Sequence, residues 1–203
     1  MNDFAHSQDQ LNGILNEFSG LEAELKQRYQ TENLSFRRGY SLEKEGSIFI
    51  YAATRLLKPK TILETGVANG QSTFFLLNAA AANGEGEVFS IETSEKVGSL
   101  LSTVDKARWH LEVLREPLRK SLKDTLASLP KFDFYLHDSD HRYPWQRFEY
   151  EEVFPRMSPG SIFASDDVDK SYAFVDFSKK THVRPSLLLE KGKAFGYFTL
   201  GSR

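Results

Sequence analysis

The chain has 203 residues, of which 40% are hydrophobic and 27% are charged, which is the balance of an ordinary globular protein. The formal net charge is −2 and the basic residues are dispersed, so no nucleic-acid-binding face is expected. Cysteine is absent, which excludes disulfides, thiolate metal sites and cysteine nucleophiles. Residues 1–6 lack the pattern of a secretory signal, and no stretch is apolar enough to span a membrane. We therefore expect a soluble cytoplasmic protein that binds neither nucleic acid nor membranes.

Two helices are predicted before the first strand. Between residues 7 and 32, apolar side chains recur three or four positions apart, which is the pattern of an amphipathic helix. Ser41 is the predicted N-cap of a second helix, whose body is Lys44–Leu57 and which ends before Pro59. The sequence leaves open whether the first helix forms a lid over a site or a contact in a homodimer.

From residue 61 onward, short apolar runs alternate with helical patterns. Strands this apolar, separated by helices, are typical of a parallel sheet covered on both faces, and right-handed crossovers make such a sheet doubly wound. After a helix at 171–180, two strands at 186–190 and 195–200 flank a turn at 191–193, which predicts an antiparallel hairpin. The five earlier strands are predicted at 61–64, 88–92, 110–114, 132–138 and 162–166, with helices near 71–83, 94–107, 119–129 and 144–155.

Four of the five predicted strands end in acidic residues. Strand one ends at Glu64, strand two at Glu92, strand four at Asp138 and strand five at the pair Asp166 and Asp167. In open α/β sheets, ligands bind beyond the carboxyl ends of the strands. Any one of these acids is equally well explained as a turn or cap residue. Their recurrence at four strand ends indicates a functional site.

The turn after strand one is suited to a bound nucleoside. Gly66 permits a tight turn, and Gly70 lets the backbone approach a ligand at the start of the next helix. Ala68 replaces the middle glycine of the dinucleotide fingerprint. Glu92 follows Gly70 by 22 residues (from 70 to 92), near the separation of about 20 at which an acid reaches ribose hydroxyls. These features predict an adenosine-containing ligand, bound by Glu64, Gly66, Gly70, Ser72 and Glu92.

The turn from Glu64 to Gly70, the acid that ends strand two and the terminal hairpin together resemble the class I S-adenosylmethionine (SAM)-dependent methyltransferases, over about residues 36–200. Residues 40–72 and the run LHDSDHRY at 136–143 resemble the catechol O-methyltransferase branch. The same run resembles methyltransferase family 24 and the macrocin-type sugar O-methyltransferases. The resemblance implies SAM as cofactor and a Rossmann-like α/β fold with a doubly wound, mostly parallel seven-stranded sheet. It also implies one domain over residues 1–203, with a helical extension at 1–35 and a catalytic core at 36–203.

Asp138, Asp166 and Asp167 offer an all-oxygen set of ligands, which suits Mg²⁺, or else Mn²⁺ or Ca²⁺. Three acids this close would repel one another without a cation or a proton between them. The branches that the chain resembles commonly use a divalent metal, although the catechol type has Asp-Asn where this chain has Asp166 and Asp167. The alternative is that Asp138 hydrogen-bonds the cofactor or a helix N-terminus, and that the pair caps the next helix.

His141 and Asp140 are the candidate general bases. Catechol-type enzymes carry a lysine base three residues after the first metal aspartate, and His141 occupies that position here. A helix N-terminus and the neighbouring aspartates act on its imidazole in opposite directions, so we expect a pKa near neutrality. Asp140 is the rival base, and the other interpretation of His141 is a helix-start residue satisfied by solvent. We assign His137, on the other face of the strand, to packing.

The predicted function is metal-dependent O-methylation of a small molecule with vicinal hydroxyls, such as a catechol or a sugar. The first alternative is a metal-independent methyltransferase of the same fold. Ala68 and the lack of a catalytic Tyr-x-x-x-Lys pattern disfavour an NAD(P)-dependent oxidoreductase, and the last alternative is a nucleoside-binding protein without catalysis. No adenine contact is assigned to residues 115–118, which lack the Gly-Ala-Ser run of catechol enzymes. Four aromatic residues near the predicted site loops form an acceptor wall or simply pack: Tyr40, Tyr143, Trp145 and Tyr172.

Overall fold

The computed structural model describes residues 8–201, so the expectation about a secretory signal at residues 1–6 lies outside the described range. No helix within that range is long and apolar enough to cross a membrane. Six α-helices are present in residues 8–201: α1 (Gln8–Thr31), α2 (Lys44–Leu57), α3 (Gln71–Asn83), α4 (Leu118–Ser128), α5 (Tyr143–Val153) and α6 (Ala173–Thr181). The strands are β1 (Thr61–Thr65), β2 (Glu87–Glu92), β3 (Trp109–Val113), β4 (Phe132–His137), β5 (Met157–Ser165), β6 (Ser186–Glu190) and β7 (Lys193–Thr199).

The seven strands form one sheet in the order β3-β2-β1-β4-β5-β7-β6. Strands β1 to β5 are mutually parallel, and β7 runs antiparallel to both β5 and β6. The predicted α/β class, the doubly wound sheet and the antiparallel hairpin are therefore confirmed. The chain order reverses between β1 and β4, and the crevice at such a reversal is where open α/β sheets bind ligands.

Two apolar layers cover the two faces of the sheet. On one face, residues of α1, α2 and α3 pack with side chains such as Ile62 and Phe134. On the other face, residues of α4, α5 and α6 pack with Leu63 and Tyr135. Neighbouring residues of one strand face opposite layers, as the period of two in a β-strand requires.

The first helix belongs to the core of this fold. Ile14, Phe18 and Leu25 of α1 are buried, and the ring of Phe18 stacks on Phe75 of α3 with centroids 4.8 Å apart. Arg28 forms an ion pair with Asp105 and donates to the carbonyl oxygen of Leu100 at 2.7 Å. This helix is therefore docked along its length on the α2–α3 layer. Its predicted role as a separate extension stays a prediction.

Two local predictions are wrong. The helix predicted near 94–107 is an irregular segment that contains only a 3₁₀ turn at Asp105–Arg108. Two of its amides bond to the turn after β1 and so cannot join a helical ladder: Gly98 N donates to Ala68 O at 2.9 Å and Leu100 N to Asn69 O at 3.0 Å. Gly98 also has a φ of 71°, which is not helical.

The predicted N-cap Ser41 is the second error: α2 spans Lys44–Leu57 as predicted, but its cap residue is Glu43, which makes no side-chain cap hydrogen bond. The N-terminal amide of Glu45 is satisfied from outside the helix, by Oε2 of Glu190 at 2.8 Å. A partner 145 residues away in sequence replaces the local cap that the pattern suggested.

Candidate active site

The turn between β1 and α3 forms the floor of the site. Gly66 and Gly70 have φ values of 89° and 92°, which favour glycine, and Ala68 has a φ of 46°. A Cβ at Gly66 would lie 2.0 Å from the carbonyl oxygen of Asp138, so this glycine lets the end of β4 lie against the turn. A Cβ at Gly70 would lie 3.1 Å from the Cα of Gly98, so protein, not open space, surrounds that position. Gly70 therefore serves close packing of the backbone here.

Glu64 lies beneath the turn and has no exposed surface. Its Oε2 accepts hydrogen bonds from Thr73 Oγ1 at 2.6 Å and from Ser90 Oγ at 2.8 Å. Burial raises the pKa of the Glu64 carboxyl to about 7. The structure thus places this predicted ligand-binding acid under the loop, with its hydrogen bonds directed to α3 and β2.

A cavity of about 480 Å³ opens over this turn at the β1–β4 reversal. Its volume lies within the range of about 300–1,000 Å³ for small-molecule sites. Glu92 lies on its wall, where Oε2 accepts from the Val67 amide at 3.2 Å and Oε1 from the Thr93 amide at 2.6 Å. The other predicted residues on the wall of this larger cavity are Gly66, Asp138 and Asp140.

Of the apolar part of the larger cavity, only Trp145 was named from the sequence. Ile91, Leu114 and Leu118 line it as well, and they come from the ends of β2 and β3 and from the start of α4. Leu114 follows β3 directly, and Leu118 is the first residue of α4, so their place at the carboxyl edge was readable from the strand pattern. Their role in lining the cavity was not predicted, because the loop that they flank lacks the Gly-Ala-Ser run of catechol enzymes.

A smaller cavity of about 200 Å³ adjoins the larger one. The two cavities share Tyr40, Val67, Ala68, Asp138 and Ser139. The smaller cavity also contains most of the predicted metal and base residues, together with Ser72 and a lysine of β7: His141, Asp166, Asp167, Ser72 and Lys193.

The acidic residues of the smaller cavity gather into two groups that share Asp166. One ligand atom each from Asp138, His141 and Asp166 lie within 4.8 Å of one another, and so do atoms of Glu43, Asp166 and Asp167. Each group could hold a metal ion. The sequence analysis named the three aspartates but missed Glu43, which precedes α2 and carries no sequence signal of its own.

Asp138 and Asp166 are held in unfavourable surroundings for two negative charges. Burial and then the charge of Asp166 raise the pKa of Asp138 well above its ordinary range. Burial and then the charge of Asp167 raise the pKa of Asp166 to about 7. Such shifts are typical of carboxylates that a cation or a shared proton stabilises.

His141 lies between Asp138 and Asp167, with Nε2 3.9 Å from a carboxylate oxygen of each. Burial and then neighbouring His137 lower the pKa of His141 to about 4, although Asp167 and Asp140 act in the opposite direction. The expectation of a pKa near neutrality is therefore wrong, because the sequence could not show how far the ring is buried. His141 is neutral at pH 7 and can offer a nitrogen lone pair.

Asp140 lies on the wall of the larger cavity, and Arg142 binds its carboxylate. The Nε of Arg142 lies 2.9 Å from both carboxylate oxygens, and this hydrogen bonding lowers the pKa of Asp140. The structure thus brings His141, and not the carboxylate of Asp140, into the metal-binding cluster.

The four aromatic residues near the predicted site loops divide into two pairs. Tyr40 lies on the wall of both cavities, and Trp145 on the wall of the larger one. Tyr143 instead donates a hydrogen bond to Asp176 at 3.0 Å, and Tyr172 is 78% exposed.

Comparison with known proteins places this geometry in context. A family model described as a methyltransferase domain matches residues 63–168. An O-methyltransferase from Bacillus cereus, solved in complex with S-adenosylhomocysteine (SAH), has a TM-score of 0.65 at 19% identity over 90% of each chain. The O-methyltransferase TomG from Streptomyces achromogenes, solved with SAM, has a TM-score of 0.64 at 16% identity, over 97% of this chain and 100% of that one.

The methyltransferase MycE of the mycinamycin biosynthetic pathway was solved with Mg and SAH. It has a TM-score of 0.56 at 16% identity, over 88% of this chain and 54% of its own. At these identities the likeness shows the fold. Comparison with curated proteins gives no match.

Proposed function

The chain belongs to the methyltransferase-domain family whose model matches residues 63–168, and from this membership we propose that it transfers the methyl group of SAM to a hydroxyl of a small molecule with the aid of a divalent cation. The observation that carries the proposal is the clustering of Asp138, His141 and Asp166 beside the cavity that opens over the β1 turn. The family membership also disfavours the oxidoreductase and the non-catalytic nucleoside-binding protein.

The larger cavity suits SAM by shape and chemistry. Its apolar part, between Leu114, Leu118 and Trp145, matches the faces of an adenine ring, and Glu92 offers carboxylate oxygens to ribose hydroxyls. Two structural neighbours were solved with SAH or SAM, which supports the same cofactor here. The methionine end of the cofactor would point along the shared wall towards Ser72 and Asp138 in the smaller cavity.

The residues of the smaller cavity fit a hard divalent cation. Asp138 and Asp166 offer carboxylate oxygens, with Asp167 adjacent, and His141 lies beside them as the candidate base. The raised pKa values of Asp138 and Asp166 support a site in which a cation or a proton offsets the negative charge of these carboxylates. These residues would hold Mg²⁺ or Mn²⁺, which lowers the pKa of a bound hydroxyl and orients it. A neighbour solved with Mg supports this assignment.

The chain itself contributes alignment and proton transfer. Methyl transfer from a sulfonium to oxygen is a direct displacement, so it depends mainly on holding the two reactants in line. The wall that the two cavities share would bring the acceptor next to the cofactor. His141, neutral at pH 7, would accept the hydroxyl proton, and Asp138 and Asp166 would hold the cation that orients the acceptor oxygens. An acceptor with two vicinal hydroxyls fits a site whose acidic groups converge on one point.

The geometry supports a second candidate, a methyltransferase that needs no metal. The Lys193 ammonium lies 3.0 Å from Glu43 and 3.6 Å from Asp167, so it already supplies positive charge to the acidic cluster. In that case Lys193 would take the electrostatic role of the cation. A small-molecule acceptor is the proposed partner in both cases. A homodimer stays a prediction.

Calorimetric titration with SAH and with Mg²⁺ tests the proposal. We expect SAH to bind at micromolar concentration and Mg²⁺ to raise the melting temperature of the SAH-loaded protein. Asp166→Asn should remove the effect of Mg²⁺ and leave SAH binding in place. Asp124→Asn is the matched control, because that aspartate is exposed on α4 and pairs only with Lys120 among the described residues. Activity towards catechols and sugars that survives excess EDTA would favour the second candidate.

A further inference from the structure

Glu149 of α5 is a buried carboxylate, 2% exposed, that accepts four hydrogen bonds. Its Oε2 accepts from Thr65 Oγ1 at 3.0 Å, from His137 Nδ1 at 2.6 Å and from Ser139 Oγ at 2.9 Å. Its Oε1 accepts from Trp145 Nε1 at 2.8 Å. A buried carboxylate is costly unless its oxygens are hydrogen-bonded, so each of these donors stabilises Glu149 in its place.

The four donors come from different parts of the site. Thr65 ends β1, His137 ends β4, Ser139 lies in the loop after β4, and Trp145 lies in the first turn of α5. Trp145 lines the larger cavity, and Ser139 lines both cavities. One buried carboxylate thus joins the wall of the larger cavity to the loop that carries the acidic cluster.

The cluster also reaches His141 through His137. The two rings meet edge to face, with centroids 5.5 Å apart and an angle of 82° between their planes. The hydrogen bond from Nδ1 of His137 to Glu149 fixes the orientation of the first ring, because Nε2 of that ring is buried without a hydrogen-bond partner in the described chain. The packing assigned to His137 from the sequence therefore includes a polar anchor.

We infer that Glu149 is a positioning residue, which sets Trp145 against the cofactor and Ser139 and His141 against the acceptor in one arrangement. The inference rests on the proposed function, since it takes the larger cavity to be the SAM site. Glu149 itself transfers no proton or methyl group in this role. It acts by holding side chains from α5 and from the loop after β4.

Glu149→Gln tests the inference because glutamine keeps the size of the side chain but replaces one acceptor oxygen with an NH₂ donor. The carbonyl oxygen can face Thr65, His137 and Ser139. The NH₂ group then faces the indole N–H of Trp145, donor against donor. We therefore expect Glu149→Gln to lose the hydrogen bond that holds the Trp145 ring against the larger cavity, while the other three contacts remain.

The expected result is a loss of SAH affinity of about 10-fold in calorimetric titration, the size of one charge-assisted hydrogen bond. The protein has two tryptophans. The part of the SAH-dependent change in tryptophan fluorescence that is lost in Trp145→Phe therefore comes from Trp145. We expect the same part of the fluorescence change to be smaller in Glu149→Gln than in the parent. Trp145→Phe removes the indole donor. Adding Glu149→Gln to the Trp145→Phe protein should therefore lower its SAH affinity by less than about 3-fold. Glu152→Gln, at a half-buried glutamate of the same helix that pairs with Lys123, should leave both measurements unchanged.

Equal SAH affinity of Glu149→Gln and the parent would overturn the inference. So would the same loss with and without Trp145→Phe, because that result indicates general destabilisation. If Glu149→Gln does not fold, Ser139→Ala and Trp145→Phe replace it. Their effects on SAH affinity should be non-additive if they act through one carboxylate, and additivity would overturn the inference. A parent protein that binds no SAH would instead remove the proposed function on which the inference rests.

Discussion

The ammonium nitrogen of Lys193 lies 3.6 Å from Oδ1 of Asp167. Burial alone would lower the pKa of this lysine, but its hydrogen bond to Glu43 and the charge of Asp167 raise it, so the ammonium is charged at neutral pH. The hairpin holds Lys193 in place, because the next residue, Ala194, donates its amide to Asp169 at 2.8 Å. A fixed positive charge therefore competes with any divalent cation for the same acids.

Lys193→Met should increase the affinity for Mg²⁺. Unit charges about 4 Å apart interact by about 4 kcal/mol at an effective dielectric constant near 20, and solvent reduces this because Lys193 is 32% exposed. We expect a gain of about 10-fold, measured by the Mg²⁺ dependence of the melting temperature. Lys191→Met is the control, since that lysine is exposed in the same hairpin and pairs with Glu190. Unchanged Mg²⁺ affinity in Lys193→Met would argue against this competition.

Glu92→Ala should weaken SAH binding by about 1.5–3 kcal/mol, the size of a hydrogen bond to a charged group. Glu92 also accepts from the amides of Val67 and Thr93, so its loss would loosen two segments of the cavity wall as well. Calorimetric titration measures the effect. Glu95→Ala, at an exposed glutamate paired with Arg115, is the control. A Glu92→Ala protein with the affinity of the parent would mean that the ribose lies elsewhere.

The strand pattern predicted the sheet well, because a buried strand can be recognised from a short run of apolar residues in the local sequence. Each apolar run between helices became a strand of the parallel sheet, and the acids at the strand ends reached one edge because parallel strands share a direction. The pattern did not predict the irregular segment that contains Gly98, because the amides of Gly98 and Leu100 bond to the turn after β1. Pairing of this kind depends on tertiary contact and leaves no periodic signal.

The sequence predicted most of the acidic residues of the candidate site, but it did not predict which residues from distant segments would join them. Asp138 and Asp166 follow directly from strand ends. Glu43 and Lys193 come from the segment before α2 and from the hairpin, 150 residues apart, and only folding brings them together. The burial that lowers the pKa of His141 was equally invisible, because it depends on how neighbouring elements cover the ring.

His141→Ala should lower turnover by about 10²–10⁴-fold, the usual cost of removing a positioned base, while SAH affinity is retained. Asp140→Asn should lower turnover less, because Arg142 binds that carboxylate and Asp140 belongs to neither candidate metal-binding group. With a pKa near 4, His141 is deprotonated throughout pH 6–8, so its titration should not shape the pH profile of turnover in that range. Single-turnover rates of the three proteins decide the matter. A larger loss in Asp140→Asn would identify the carboxylate as the base.

Glu64 provides a prediction about stability and pH. Burial raises its pKa from an ordinary value of 4.5 to about 7 in the folded protein. The folded state therefore binds this proton more tightly than the unfolded state does. The stability that this proton contributes is fully present below pH 4.5, and it is lost as the pH rises through about 7. At 1.36 kcal/mol per pKa unit, the loss is about 3 kcal/mol at most.

Glu64→Gln should remove this pH dependence. The glutamine oxygen can accept from Thr73 and Ser90 as Oε2 does now, and the amide nitrogen would occupy the place of Oε1, which has no hydrogen-bond partner among residues 8–201. At pH 5 the protonated Glu64 of the parent carries a similarly unsatisfied donor at that place, so the two proteins should be of similar stability there. At pH 8 the parent has lost the proton, so Glu64→Gln should be the more stable protein.

Urea denaturation of the parent and of Glu64→Gln at pH 5 and pH 8 gives the two differences in the free energy of unfolding. Subtracting one protein from the other removes the contribution of Asp166, whose raised pKa both proteins share, and leaves of Asp138 only the part of its shift that the charge of Glu64 causes. We expect the difference to change by about 2–3 kcal/mol between the two pH values. A difference that is the same at both would show that Glu64 keeps its ordinary pKa despite complete burial. In that case the turn over Glu64 would have to admit water, and the acid would be free to contact the cofactor as the sequence analysis first suggested.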